Sequence, residues 1–296
     1  MSQTNNEKRK MLAPIQVVEC PRDAMQGWKH QIPTTEKIRY LNQLLKVGFH
    51  TLDFGSFVSA KAIPQMADTE EVLSSLDLKG SSTKLLAIIA NERGADKACS
   101  FQQIQYLGFP FSVSETFQLR NTNATIETAF QRVKTIQQIC SSTGKELVVY
   151  LSMGFGNPYG DPWNEAVVFE WAEKLAVQGI KILSLADTIG LASPAQVETM
   201  TGYLVEQMAG INIGVHLHAD PKDRLHKIEA AYHAGCRRFD GALKGIGGCP
   251  MANDDLVGNM DTEWMIRYFQ QKNESVSLNE NEFKTAIQMA EQIFNF

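Results

Sequence analysis

Short apolar runs alternate along this chain with longer stretches whose apolar residues recur every three or four positions. The runs fall at 15–20, 51–54, 84–90, 104–111, 147–152, 180–186, 211–218 and 237–241. Runs of this length, bounded by Gly, Pro or polar residues, read as strands buried on both faces. The stretches between them predict helices over 34–47, 68–76, 125–141, 163–177 and 221–234, with another opening at Ser193–Pro194. Thr34 or Thr35 offers a cap for the first helix, and Gly48, Gly144, Gly179 and Gly235 stand where helices should stop. Pro194 occupies the favoured first helical position. Eight strands alternating with helices imply parallel βαβ units, and eight such units predict a closed (β/α)8 TIM barrel. An open doubly wound sheet is the rival, but no Gly-rich dinucleotide turn follows the first run. With no linker or internal repeat, 1–296 reads as a single barrel domain, and 261–296 as a C-terminal helical extension packed on it.

Composition narrows the function classes. The chain has 296 residues, enough for a barrel of about 250 residues with additions. A net charge of -5 and no run of like charges give no footprint for nucleic acid or an anionic membrane. No apolar stretch approaches the length of a membrane span. The five cysteines, Cys20, Cys99, Cys140, Cys236 and Cys249, are scattered and form no CxxC pair. That argues against a disulfide framework and for a reducing compartment. The polar N-terminus, with Glu7, does not look like a signal or transit peptide, so the expected location is cytoplasmic.

In a barrel of this kind chemistry collects at the C-terminal ends of the strands. Arg22 and Asp23 follow the first run, Asp53 ends the second, and Asn91 and Glu92 follow the third. Asp187 follows the sixth, His216 and His218 end the seventh, and the glycine-rich segment 245–250 follows the eighth. His216 and His218 are two residues apart on a strand and so share a face. With a carboxylate such as Asp23 they form a mixed N/O set suited to Mg, Mn, Co or Zn. Structural readings stand beside these. The histidines suit a hydrogen-bonded core, Arg22–Asp23 a surface ion pair, and Asp187–Thr188 a turn. Cys249 suits an inert packing role, although its glycine-rich surroundings favour exposure. Gly154 to Gly160 would suit either a phosphate cradle or a shaped loop.

Several segments also resemble one family. VECPRDAMQ, FGSFVSAKAIPQMADTEEVL, LADTIG, HLH and GIGGCPMANDDLVGN are similar to motifs of 3-hydroxy-3-methylglutaryl-CoA lyases, over about 15–259. That family is related to the isopropylmalate and homocitrate synthases, which usually carry Arg-containing loops where this chain has GGCP. Position by position, the resemblance implies a divalent metal, Mg or Mn, held by Asp23, His216, His218 and Asn259. It places catalytic roles on Arg22, Asp53, Asp187, His216 and Cys249. Two positions depart. The family's strand-two glutamate is Asp53 here, and the acidic residue or Asn after the second histidine is Ala219.

The implied reaction is cleavage of 3-hydroxy-3-methylglutaryl-CoA to acetoacetate and acetyl-CoA, a step of leucine degradation and ketone-body formation. The partner expected is a small-molecule acyl-CoA, and a homo-oligomer is compatible with the sequence. In this scheme Asp187, shared with His216, removes the hydroxyl proton, and Arg22, oriented by Asp53, stabilises charge on the thioester oxygen. Cys249 protonates the enolate. The departures at Asp53 and Ala219 motivate a second reading, a lyase or aldolase acting on another 3-hydroxy acyl-CoA or hydroxy acid. A synthase running the condensation is disfavoured by GGCP, and a non-catalytic barrel by the filled ligand positions.

Overall fold

The computed structural model describes residues 13–248 and 257–295. Its eight strands are β1 (Gln16–Glu19), β2 (Thr51–Ser56), β3 (Lys84–Ile88), β4 (Ile104–Ser112), β5 (Glu146–Ser152), β6 (Ile182–Asp187), β7 (Asn212–Leu217) and β8 (Arg238–Gly241). Each pairs in parallel with the next, and β8 returns to β1 with Gln16 opposite Arg238 and Glu19 opposite Gly241. The barrel expected from eight apolar runs is therefore closed. Leu86, Tyr106, Val148, Tyr150 and Ile182 fill part of its interior, while a larger apolar layer lies between strands and helices.

Eleven helices surround the described strands. They are α1 (Pro21–Gln26), α2 (Thr34–Val47), α3 (Thr69–Ser74), α4 (Glu92–Cys99), α5 (Glu115–Thr122) and α6 (Ile126–Thr143), then α7 (Glu165–Val177), α8 (Pro194–Gln207), α9 (Arg224–His233), α10 (Thr262–Gln271) and α11 (Glu280–Ile293). α8 opens with a capping box, Ser193 and Gln196 bonding reciprocally, as Ser193–Pro194 led us to expect. α2 is entered differently. Pro33 occupies its cap position, and Thr34 instead donates its hydroxyl to Asp68 at 2.8 Å. Three short helices, α1, α4 and α5, stand where the sequence pattern showed only loops.

β4 runs through Gly108 and Pro110, and its neighbours approach Gly108 closely. A Cβ on Gly108 would come within 2.5 Å of Ile88 Cδ1 and 3.0 Å of Tyr150. The last two helices close the outer ring. α10 packs beside α9, and α11 against α2. Phe269 of α10 is fully buried, with its ring 4.8 Å from that of Phe239 in β8. Phe294, after α11, seats edge-on against Trp28 at 5.2 Å. Glu19 at the top of β1 ties this closure together, accepting from Thr262 Oγ1 at 2.6 Å and Leu243 N at 2.9 Å. Burial pushes the Glu19 carboxyl up to about 8. Among the described residues no helix is long and apolar enough to cross a membrane.

Phe269→Ala should cost about 3–5 kcal/mol, the range for emptying a buried aromatic site. Urea unfolding measures it, and a loss below about 1 kcal/mol would show α10 to be peripheral to the barrel rather than part of its core.

Candidate metal centre and active site

α1 follows β1 directly and brings Arg22 and Asp23 over the C-terminal mouth of the barrel, both buried. Arg22 Nε donates to Asp53 Oδ1 and Oδ2 at 3.2 and 3.0 Å, and Nη2 donates to Asp53 Oδ2 at 2.5 Å. Its Nη1 donates to Asp23 Oδ1 at 3.0 Å. The pair that a surface reading would leave solvated is thus a buried fork holding two carboxylates. Burial alone would raise the Asp23 carboxyl, but Arg22, His216, His218 and the amide of Asn259 together hold it down at about 2. Asp53 is pushed up to about 6, burial outweighing Arg22.

The two histidines meet this group from β7. Their ring centroids are 5.0 Å apart, as the shared strand face predicts. His216 Nδ1 lies 3.2 Å from Asp240 Oδ2. His218 Nδ1 lies 2.9 Å from the Asp187 carbonyl and donates to it, which fixes the tautomer and leaves Nε2 as the lone-pair nitrogen. Burial, followed by the charge on His216, lowers the His218 pKa to about 4, so its ring is neutral at pH 7. For His216 burial acts in the same direction, but the Asp240 hydrogen bond and charge reverse it and raise the pKa.

Ligating atoms of Asp23, His216 and His218 all lie within 4.8 Å of one another. Asn259 is tied to this cluster: its Nδ2 donates to Asp23 Oδ2 at 2.7 Å and to the Ile246 carbonyl at 2.8 Å. Gly247, at φ +96°, permits this approach, since a Cβ there would come within 2.9 Å of the Asp23 carbonyl and 2.7 Å of Asn259 Nδ2. The fit to a divalent cation rests on His218 Nε2, which is buried and has no hydrogen-bond partner among the described residues. A buried lone pair without a partner is costly. One carboxylate, two imidazoles and an amide oxygen together make an N/O donor set for Mg, Mn or Zn.

These residues open onto a cavity of about 300 Å³. Arg22, Asp23, His216 and His218 form its polar floor, and Ile63, Ile88, Pro110, Phe117 and Tyr150 line much of the rest. Tyr150 stands edge-on to His216 with ring centroids 5.7 Å apart. Tyr150 and Asp240 were not singled out from the sequence. The signal for Asp240 was present as an acid inside the eighth expected strand, 237–241, a position that requires a partner.

Other expected rim residues are placed elsewhere. Asp187 ends β6, but its carboxylate is held by Lys227 Nζ at 2.7 Å and by the backbone N–H of Ala192. Ala186 and Thr188, not Asp187, line the cavity, so the expected proton acceptor is turned toward the helix layer. Asn91 caps α4, accepting from Gly94 N at 2.9 Å, and Glu92 begins that helix. The segment 154–160, for which a phosphate cradle and a shaped loop stood side by side, is a loop tied by its own Asn157 and by Asp161, whose carboxylate accepts from Ser114 and Thr116. Cys249 lies outside the described residues.

Asp53→Ala should cost about 3–5 kcal/mol, because it strips one carboxylate from a buried guanidinium. A denaturant midpoint close to that of the parent protein would show instead that Asp23 alone suffices to hold Arg22.

Comparison with known proteins places this geometry. Residues 15–290 match the HMGL-like family. The mouse mitochondrial hydroxymethylglutaryl-CoA lyase is 31% identical over 255 residues, covering 85% of this chain and 77% of that protein. The Bacillus subtilis hydroxymethylglutaryl-CoA lyase YngG is 33% identical over 251 residues, covering 85% and 83%. Among solved structures, the HMG-CoA lyase of B. subtilis superposes with a TM-score of 0.89 at 29% identity, covering 95% of this chain and 94% of that one. An HMG-CoA lyase from Acinetobacter baumannii, in complex with coenzyme A and 3-methylmalate, gives 0.88 at 29% identity, covering 95% and 92%. A parallel barrel with an Asp–His–His cluster at its mouth, matched over nearly its whole length, belongs to the HMGL-like family, and the chain is an HMG-CoA-lyase-like enzyme of that family.

Proposed function

We propose that this enzyme cleaves 3-hydroxy-3-methylglutaryl-CoA to acetoacetate and acetyl-CoA with a divalent metal, Mg or Mn. The observation that carries the reading is the convergence of Asp23, His216 and His218, with the Nε2 of His218 buried and unpartnered. Those three residues and Asn259 Oδ1 would hold the cation. Bound there, it supplies Lewis acidity that lowers the pKa of a substrate hydroxyl. The coenzyme A bound to the A. baumannii enzyme supports an acyl-CoA as the partner.

The chain's own residues serve the remaining needs of a retro-Claisen cleavage. The tertiary hydroxyl loses its proton, the carbon–carbon bond breaks, and its electron pair moves onto the thioester as an enolate. Arg22 faces the cavity from a fixed orientation, because Asp53 holds its Nε and Nη2. Its uncommitted N–H hydrogens suit the developing charge on the thioester oxygen. Cys249, by its match to the family cysteine, returns a proton to the enolate carbon. Asp187 is bonded to Lys227 and does not face the cavity, so proton removal is not assigned to its carboxylate. A related lyase acting on another 3-hydroxy acyl-CoA is the second reading. The substitution of Asp for Glu at 53 and the apolar cavity wall favour it.

Two measurements test the proposal. Chelator-treated enzyme should lose cleavage of 3-hydroxy-3-methylglutaryl-CoA and regain it with Mg or Mn. His218→Ala should weaken metal binding by more than the roughly hundredfold loss seen when a group hydrogen-bonded to a ligand is removed. Full activity in metal-free protein sinks the metal reading, and an inert metal-loaded enzyme sinks the substrate. Cys249→Ser should fold normally and lose on the order of 10²-fold or more in kcat. Unchanged turnover would leave the thiol a packing residue.

A further inference from the structure

Lys227, on α9, is one of the most buried lysines of the chain, with 2% of its surface exposed. Its ammonium makes three bonds. Nζ donates to Asp187 Oδ2 at 2.7 Å, to the His218 carbonyl at 2.8 Å and to the Gly190 carbonyl at 3.1 Å. That uses all three of its hydrogens. The three acceptors belong to the end of β6, the turn after it, and the residue just past β7. Lys227 does not line the cavity, and its three hydrogens are all spent on Asp187, Gly190 and the His218 carbonyl.

Its connection to the site runs through His218, by two routes. One is its bond to the His218 carbonyl. The other passes through Asp187, whose side chain it holds and whose backbone carbonyl accepts the Nδ1–H of His218 at 2.9 Å. The imidazole can turn about its Cβ–Cγ bond only by breaking that Nδ1 contact. Without the ammonium, the buried Asp187 carboxylate would keep only backbone N–H partners, that of Ala192 at 3.2 to 3.3 Å and that of Leu191, and no positive charge. An uncompensated buried carboxylate is costly, and the turn would relax toward solvent or a new partner. The Asp187 carbonyl would move with it.

We propose that Lys227 is a positioning residue that, with Asp187, aims the Nε2 of His218 at the bound cation. This rests on the metal-dependent reading above. It also gives Asp187 a task that agrees with its place, on the outward face of β6 rather than in the cavity. A ligand held from behind by a hydrogen bond to a fixed carbonyl is common in metal sites, and loss of such support typically weakens binding about 10–100-fold.

The test is Mn(II) affinity of the purified protein, followed by the electron paramagnetic resonance of free Mn(II), with the visible absorption of the Co(II)-loaded protein as a record of ligand geometry. Lys227→Met should bind Mn(II) roughly 10–100-fold more weakly. Its Co(II) spectrum should shift, and kcat should largely recover at saturating Mn(II). A lysine that only stabilises the fold would lower the unfolding midpoint and leave both metal readouts of the folded protein unchanged. If Lys227→Met does not fold, the double variant Lys227→Met, Asp187→Leu removes both charges, and apolar replacement of a buried ion pair is commonly tolerated. It should fold and still bind Mn(II) weakly, since the His218 carbonyl remains unsupported. Parent-like Mn(II) affinity and Co(II) spectrum in the folded variant overturn the proposal while the metal reading stands. A parent enzyme that binds no divalent ion overturns both.

Discussion

The mouth of this barrel buries three carboxylates, Asp23, Asp53 and Asp240, around two imidazoles, and the arrangement depends on the guanidinium of Arg22. Carboxylates so close together and out of water repel one another and resist ionisation unless a cation sits among them. Arg22 is bonded to two of the three. Burial acts to lower its own pKa, and Asp53 and Asp23 more than reverse that effect, so the charge is secure. The consequences divide the two acids. Asp23 is held ionised well below pH 7, the state in which a carboxylate could ligate a cation. Asp53 is fully enclosed and spends its carboxylate on Arg22, so it acts by orientation. Lysine could not replace Arg22 here, because a point charge has no fork with which to hold two acids at fixed angles.

Strand parity assigns the remaining polar groups. His216 lies in register with Ala186 on one side and with Asp240 on the other, so these three positions share the interior face. Asp187 is one residue out of phase with Ala186 and faces the helix layer, where Lys227 of α9 meets it. Residues at the end of the same strand therefore serve the cavity wall and its support, and the period-two alternation of a strand separates them. The C-terminal ends of barrel strands are rich in polar residues for both reasons.

That parity also explains what could be read from the sequence. Most of the strands showed because double burial makes them apolar runs, and HLH showed because two residues on one strand need no register to share a face. Placing Asp187 required the register of β6 against β7, which no local pattern contains. Asn91–Glu92 looked like rim chemistry because an Asn followed by an acid after an apolar run is also how a short helix begins, and α4 was itself missed at eight residues. Asp240 was legible in principle, as an acid inside the eighth expected strand, but it stands beside Arg237 and Arg238, which offer it apparent partners in the sequence. Arg237 in fact pairs with Glu274 near the surface, whereas Arg238 is fully buried over the ring of Tyr106.

The resemblance to the lyase family implies a glutamate where this chain has Asp53, and the contacts of Asp53 bear on that difference. One methylene less withdraws the carboxylate by about 1.5 Å, a displacement of the size that can cost a hundredfold in rate. Here Arg22 turns both Nε and Nη2 toward Asp53, a side-on contact that a retracted carboxylate can accept. The pairing of β2 with β3 shifts register between Asp53 and Gly55, so the backbone is irregular just beside the acid. Gly55 is packed so tightly against Thr69 that an added Cβ would come within 2.7 Å of its methyl, which fixes the irregular segment in place. Asp53 holds Arg22 through both Nε and Nη2 while Arg22 lines the cavity. An acid that serves by orientation can be shortened in this way, because the guanidinium it holds has a second anchor in Asp23. Asp23 could not be shortened or lengthened so freely, because its other oxygen must also meet Asn259 at 2.7 Å and stay within reach of both histidines.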